Sequence, residues 1–170
     1  GFSRDPQGSA FAARFTQYHN KEGSVALLTQ SEIEALIPHR PPFLWVDEVV
    51  ELTDDQIRAR KHISPELDVF RGHYPHFPVL PGVLLQEACF QAGAILIARV
   101  SPPQGNAVPV VTRVNNVKFR QMVRPGDTID IEAKLTERMA NAFFLHAKIT
   151  VGGKTVATVE FACAAAALPE

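Results

Sequence analysis

Residues 81–100, PGVLLQEACFQAGAILIARV, form a helical stretch with no continuous polar face. Apolar side chains from Val83 to Ile97 fall on every side of a 3.6-residue period, and a helix that is apolar all round is buried all round. At ~1.5 Å per residue it would be roughly 30 Å long, so the rest of the chain must supply a surface that wraps it. A curled sheet would cover most of such a helix, and a second copy of the protein could cover the remainder. Pro81 is expected at the first helical position, where a missing N–H costs nothing. The most apolar run, 88–98, is too short for a bilayer core of roughly 30 Å, so no membrane span is expected.

The wrapping material is predicted around this helix. PFLWVDEVVEL (42–52) and QIRARKHI (56–63) read as strands joined by the polar turn TDD. VPVVTRVNNVKF (108–119) is a strand by its valine content, ended by the turn sequence RPGD. In TIDIEAKL, Ile129, Ile131, Ala133 and Leu135 share one face; in AFFLHAKITV, Phe143, Leu145, Ala147 and Ile149 do the same. The glycines at 152–153 are a two-residue hairpin signal, and KTVATVEFACAA makes the return strand. SEIEALIPHR reads as one short helix with capping-box spacing at Ser31 and Glu34, stopped by Pro38. One long helix and about six strands, the last three a meander, give an α+β fold: a single antiparallel sheet wrapped on the helix.

The chain has 170 residues, and its 46% hydrophobic content suffices for one core. A formal net charge of −1, with both signs interspersed, argues against nucleic-acid binding. Cys89 and Cys163 sit in apolar surroundings without a C-x-x-C partner and read as two buried thiols rather than a disulfide. Arg4, Asp5 and Arg14 break up the first apolar residues, unlike a signal peptide. A soluble, cytoplasmic protein is the expectation. Residues 1–28 show no sustained period and read as an extension, partly ordered at best, ahead of a single domain over 29–168. Gly1 in place of Met suggests a tag scar or an excised fragment.

Two residues stand out against this background. Glu87 is the one acid on the apolar helix, and an ionised carboxylate there must be paired, hydrogen-bonded or protonated. It could reach solvent or pair with Arg99; held partly neutral, it could instead donate a proton as a general acid. His73 lies between Gly72 and the prolines Pro75, Pro78 and Pro81, whose fixed φ angles stiffen the loop. A loop histidine is often only a surface residue, but stiffness is what a base needs, since small misplacement is expensive. The loop delivers the chain to a helix N-terminus, whose free N–H groups can stabilise charge developing on a carbonyl oxygen. Base, acid and oxyanion site together suit proton abstraction next to a carbonyl. A metal held by His73 and His76 lacks a third ligand, and no serine or cysteine sits in an elbow-type turn.

These residues also carry a resemblance. GHYPHFPVLPGVLLQEACFQ resembles the signature of the (3R)-hydroxyacyl-[acyl-carrier-protein] dehydratases of type II fatty acid synthesis. IPHRPPFLWVDEVVEL is similar to that family's opening strand, and VNNVKFRQMVRPGDTIDIEAKL to its third and fourth strands. The likeness runs from about Leu28 to Ala166. It implies the hotdog fold, an antiparallel sheet around one long helix, in agreement with the pattern above. It also implies that His73 is the catalytic base and Glu87, contributed by the partner chain of a homodimer, the catalytic acid. Gly82 would offer its N–H to the thioester oxygen, with Phe77, Val79, Val83 and Gln91 as further substrate-binding positions. Isomerising relatives carry Asp where this chain has Glu87, so dehydration without double-bond migration is expected. The chain departs from the family pattern at His76, where Gly is usual, and at Tyr74 in place of Phe.

The resemblance implies a substrate delivered on the phosphopantetheine arm of acyl carrier protein, with no metal or redox cofactor. Carrier proteins are acidic, and Arg113, Lys118, Arg120 and Arg124 cluster around one strand and its turn as docking candidates; an ordinary solvated basic face is the alternative. A dimer is the least assembly implied, and trimers of dimers occur among relatives. Two other functions remain open at this point: a hotdog thioesterase, and a non-catalytic acyl-binding partner.

Overall fold

The computed structural model describes residues 27–102 and 105–167. In chain order it contains α1 (Gln30–Glu34), β1 (Glu48–Leu52), β2 (Gln56–His62), a 3-10 turn (Asp68–Arg71), α2 (Gly82–Val100), β3 (Ala107–Phe119), β4 (Thr128–Met139), β5 (Ala142–Val151) and β6 (Lys154–Ala167). The strands make one antiparallel sheet in the order β1-β2-β4-β5-β6-β3. The sheet packs around α2, which touches β2 to β6, and the α+β hotdog architecture expected from the sequence is the one observed.

Alternation explains the packing. Ile57 and Ala59 of β2, Ile129, Ile131 and Ala133 of β4, and Phe143, Leu145, Ala147 and Ile149 of β5 all turn inward and are buried. Gly152 and Gly153 both have positive φ, 55° and 77°, as a two-residue hairpin of the I′ type requires. Gly93 is needed for another reason: a Cβ there would meet the Phe161 ring at 2.7 Å, so this sheet side chain packs directly on the helix backbone. Cys89 and Cys163 are buried free thiols.

Three expectations are corrected. The strand predicted over 42–52 is regular only from Glu48. Ahead of it the chain turns to the helix, because the Trp45 N–H is taken by the Gln91 side chain at 2.7 Å instead of by a neighbouring strand. The capping box falls on Thr29 and Glu32, not Ser31 and Glu34; Glu32 Oε2 accepts the Thr29 N–H at 2.8 Å. Pro81 is the N-cap, with ψ 133°, and Gly82 is the first helical residue. Within one chain α2 is enclosed over its C-terminal two-thirds, where the run from Ala92 to Ala98 is buried, while Val83 is 66% exposed, in keeping with a helix left in part for a second copy to cover. By length and composition α2 would reach across a bilayer; in this fold the sheet takes the place of lipid. The extension predicted over 1–28 lies outside the described residues except at its end, where Leu27 and Leu28 pair with Val49 of β1.

Candidate active site

The loop before α2 is folded back upon itself at His73. Its backbone N–H donates to the Val69 carbonyl at 2.9 Å, and its carbonyl accepts the Val79 N–H at 3.4 Å. Its ring Nδ1 lies 2.7 Å from the Val79 carbonyl oxygen. A carbonyl can only accept, so Nδ1 carries the hydrogen and Nε2 holds the free lone pair. Tyr74 stacks on the imidazole at 4.4 Å between centroids. The next residue, Leu80, donates its N–H to the Val123 carbonyl at 2.8 Å, which ties the loop to the turn before β4. A histidine so held is oriented as a base is, with the proton acceptor on the side away from its anchor.

Glu87, one turn into α2, has its own partners. Its Oε1 accepts Gln91 Nε2–H at 2.8 Å and lies 3.5 Å from His39 Nε2. Arg99, an expected partner, pairs instead with Asp54 at 3.0 Å. The Gln91 side chain is fully buried and spends its amide within the chain, since Nε2 also donates to the Phe43 carbonyl at 2.9 Å and Oε1 accepts the Trp45 N–H. Gln91, expected at the substrate, thus has no donor left to offer one. It staples the segment before β1 to the acid-bearing helix.

His39 sits in the turn after α1. Arg40 clamps that turn through Nη1, donating to the Ile37 and His39 carbonyls at 2.9 and 2.7 Å. Burial, its largest influence, holds the His39 ring below the ordinary histidine range, with Arg40 acting the same way and Glu87 opposing. His73 and Glu87 of one chain share no hydrogen bond or ion pair among the described residues.

At the start of α2, Gly82 lies under the Phe119 ring; a Cβ there would meet ring carbons at 2.7 and 2.8 Å. Beside the His39 turn a groove of about 610 Å³ runs toward the far end of α2, with Leu36, Ile37, Ala98, Val108 and Phe143 among its apolar lining. Arg113, Lys118, Arg120 and Arg124 are all exposed, and the Arg124 guanidinium covers the Phe77 ring at 4.3 Å. His76 is exposed as well.

A family model described as the FabA-like domain matches residues 37–160. The chain belongs to the FabA-like family. Among relatives in the FabA-like family, the 3-hydroxyacyl-[acyl-carrier-protein] dehydratase FabZ of Solibacter usitatus is 37% identical over 139 residues, 82% of this chain and 86% of the relative. The FabZ of Oenococcus oeni is 42% identical over 134 residues, 78% and 96% of the two chains. In solved structures the chain resembles the dehydratase heterocomplex ApeI:P of Xenorhabdus doucetiae, with TM-score 0.64, 16% identity, and 81% and 91% coverage. It also resembles a hypothetical thioesterase of Streptococcus pneumoniae bound to coenzyme A, with TM-score 0.57, 12% identity, and 72% and 88% coverage. At those identities the two structures speak for the hotdog fold alone.

The residues that FabA-like membership makes most interesting fall on two adjoining elements, the loop 72–81 and α2. Sequence reasoning did not find His39. Its partner Glu87 is remote in the chain, and only the unusual density of His, Arg and Pro in PHRPP marked that turn.

Proposed function

We propose that this protein dehydrates (3R)-3-hydroxyacyl thioesters carried on acyl carrier protein to the trans-2-enoyl thioesters, with His73 as base and Glu87 as acid. The observation that carries the assignment of the base is the His73–Val79 hydrogen bond, which leaves Nε2 free. FabZ relatives at 36–42% identity over most of the chain support the reaction class.

The substrate's thioester oxygen rests at the N-terminus of α2, near the Gly82 N–H, where partial positive charge favours enolate character. His73 Nε2 takes the α-proton as the α–β double bond forms. The β-carbon–oxygen bond breaks, and the Glu87 carboxyl proton passes to the departing hydroxyl, which leaves as water. Histidinium and carboxylate remain, and a proton returned through solvent resets both. Each of the two transfers contributes ~10²–10⁴-fold.

Because His73 and Glu87 are not joined within one chain, the working site is formed by two copies, each giving its acid to the other's base. The open outer edge of β3 and the exposed side chains of Val83, Val110 and Val114 support a homodimer. The acyl chain occupies the groove past the His39 turn. Arg113, Lys118, Arg120 and Arg124 receive the acidic carrier, whose phosphopantetheine arm is the only accessory group invoked. The buried, unpaired thiols fit a reducing compartment such as the cytoplasm.

The test is mass spectrometry on a panel of 3-hydroxyacyl and enoyl carrier-protein thioesters with wild type, His73→Ala and Glu87→Gln. Interconversion of the two forms, lost in both variants, is expected. Release of free acid would overturn the dehydratase reading in favour of a thioesterase, and inertness across the panel would leave a binding role.

A further inference from the structure

Glu87 has two carboxylate oxygens, and the structure treats them differently. Oε1 accepts the Gln91 Nε2–H at 2.8 Å and faces His39 Nε2 at 3.5 Å. No hydrogen bond or ion pair involves Oε2 among the described residues. A neutral imidazole nitrogen turned toward a carboxylate carries its hydrogen. The opposite nitrogen of His39, Nδ1, is buried with no hydrogen-bond partner among the described residues; a buried bare lone pair costs less than a buried orphan N–H. The hydrogen of His39 therefore sits on Nε2 and faces Oε1 from 3.5 Å, beside the hydrogen bond that Gln91 makes to the same oxygen.

We propose that His39 is the positioning residue of Glu87, holding Oε1 together with Gln91 as the acceptor oxygen so that the acid proton is carried and delivered on Oε2. This rests on the dehydratase reading and adds to it a reason for the direction in which the acid points. When the Oε2 proton passes to the leaving hydroxyl, the negative charge that develops on the carboxylate is met at Oε1 by the Gln91 donor already in place, and the His39 N–H, 3.5 Å away, closes on it.

The role requires His39 to be uncharged. An imidazolium beside Glu87 would stabilise the carboxylate and strip the acid of its proton. The groups facing the ring are few: Glu87 on α2, Arg40 on the same turn, and, through Arg40 at 3.7 Å, Glu34 on α1. Burial and Arg40 both disfavour the charged ring, so the surroundings keep His39 in the form that the role needs. Arg40 also fixes the backbone on either side of it through the Ile37 and His39 carbonyls.

The experiment compares wild type, His39→Ala and His39→Gln as purified full-length chains, in kcat, KM and melting temperature, with kcat followed against pH. The expected result for His39→Ala is a kcat lower by ~10–100-fold, the range a small misplacement costs, with KM within about three-fold. His39→Gln returns an N–H donor that cannot titrate, and is expected to recover most of kcat and to flatten the acid limb of the pH profile. A His39→Ala enzyme with wild-type kcat would overturn the proposal. So would a His39→Gln enzyme as impaired as His39→Ala, or a loss of kcat that follows the loss of folded protein. If wild type itself fails to interconvert hydroxyacyl and enoyl thioesters, the dehydratase reading falls first, and that result is read separately from the variants.

Discussion

The Phe119 ring, at the end of β3, lies against the Cα of Gly82, the first residue of α2. The contact works only because Gly82 has no side chain. Phe119 is half exposed, so its ring can swing into solvent if pushed, and Gly82→Ala should cost little stability, within ~1 kcal/mol. The methyl would take the place of the ring edge and push Phe119 off the N-terminus of α2, near which the thioester oxygen is expected. A fall in kcat/KM of ~10-fold or more with an almost unchanged melting temperature is the expected outcome, measured by carrier-thioester kinetics beside a thermal melt.

Gln91→Leu keeps much of the side-chain volume and removes every bond that the amide makes. The Trp45 N–H would be left buried without its partner, at about 1–3 kcal/mol, and the part-buried Phe43 carbonyl would lose its donor. Urea denaturation should show a loss of roughly 2–4 kcal/mol, with activity reduced as Glu87 loses its nearest donor.

Burial pushes both thiols, Cys89 and Cys163, up from 9.0 to about 12. A pKa raised in the folded state means that folding is favoured in full below pH 9, and that this contribution is lost as pH rises from about 9 to about 12. Denaturant stability should therefore fall across that window, and less in a Cys89→Ala variant. Thiol titration at pH 8 should find neither cysteine reactive until the protein is unfolded, since the thiolate is the nucleophile.

Ala98 lines the groove beside the His39 turn. Ala98→Phe would fill part of it and shorten the longest acyl chain accepted. Each methylene denied a buried place weakens binding by about 0.8 kcal/mol, so KM for long-chain substrates should rise by several-fold per carbon while short-chain turnover is kept. A chain-length series read by mass spectrometry checks this.

Arg120→Glu combined with Arg124→Glu reverses two exposed charges near the carrier's expected approach. KM for carrier-bound substrate should rise ~10-fold and lose its salt dependence, whereas the same acyl group on free pantetheine should be unaffected. Equal effects on both would place the charges elsewhere in the reaction.

Local chemistry made much of this legible in the sequence. The period-2 pattern of β4 and β5, the double glycine and the all-round apolar α2 each determine their own structure, so a sheet wrapped on one long helix could be read from short windows, and the family resemblance implied the hotdog fold. His73 and Glu87 were legible as chemical oddities: one stiffened by prolines, the other an acid where apolar residues belong. What could not be read was decided by contacts between remote segments. Residues 42–47 have strand composition, yet Gln91 takes the Trp45 N–H and strand pairing begins only afterwards. Gln91 itself looked like a pocket residue until its three bonds were seen. His39 has no local pattern that announces Glu87 as its neighbour.

The order of the elements has a consequence for the protein's synthesis. Helix α2 is long and apolar enough to cross a membrane, and four of the strands that enclose it, β3, β4, β5 and β6, follow it in the chain. At ~5–20 residues per second, the ribosome releases the helix several seconds before its wrapping is complete. During that interval the nascent chain displays a greasy rod with one carboxylate near its start and one guanidinium near its end, and Glu87 and Arg99, whatever their later duties, are then the charges that keep the rod from being wholly uniform. The protein's most vulnerable moment precedes its first turnover, and chaperone dependence should be concentrated there.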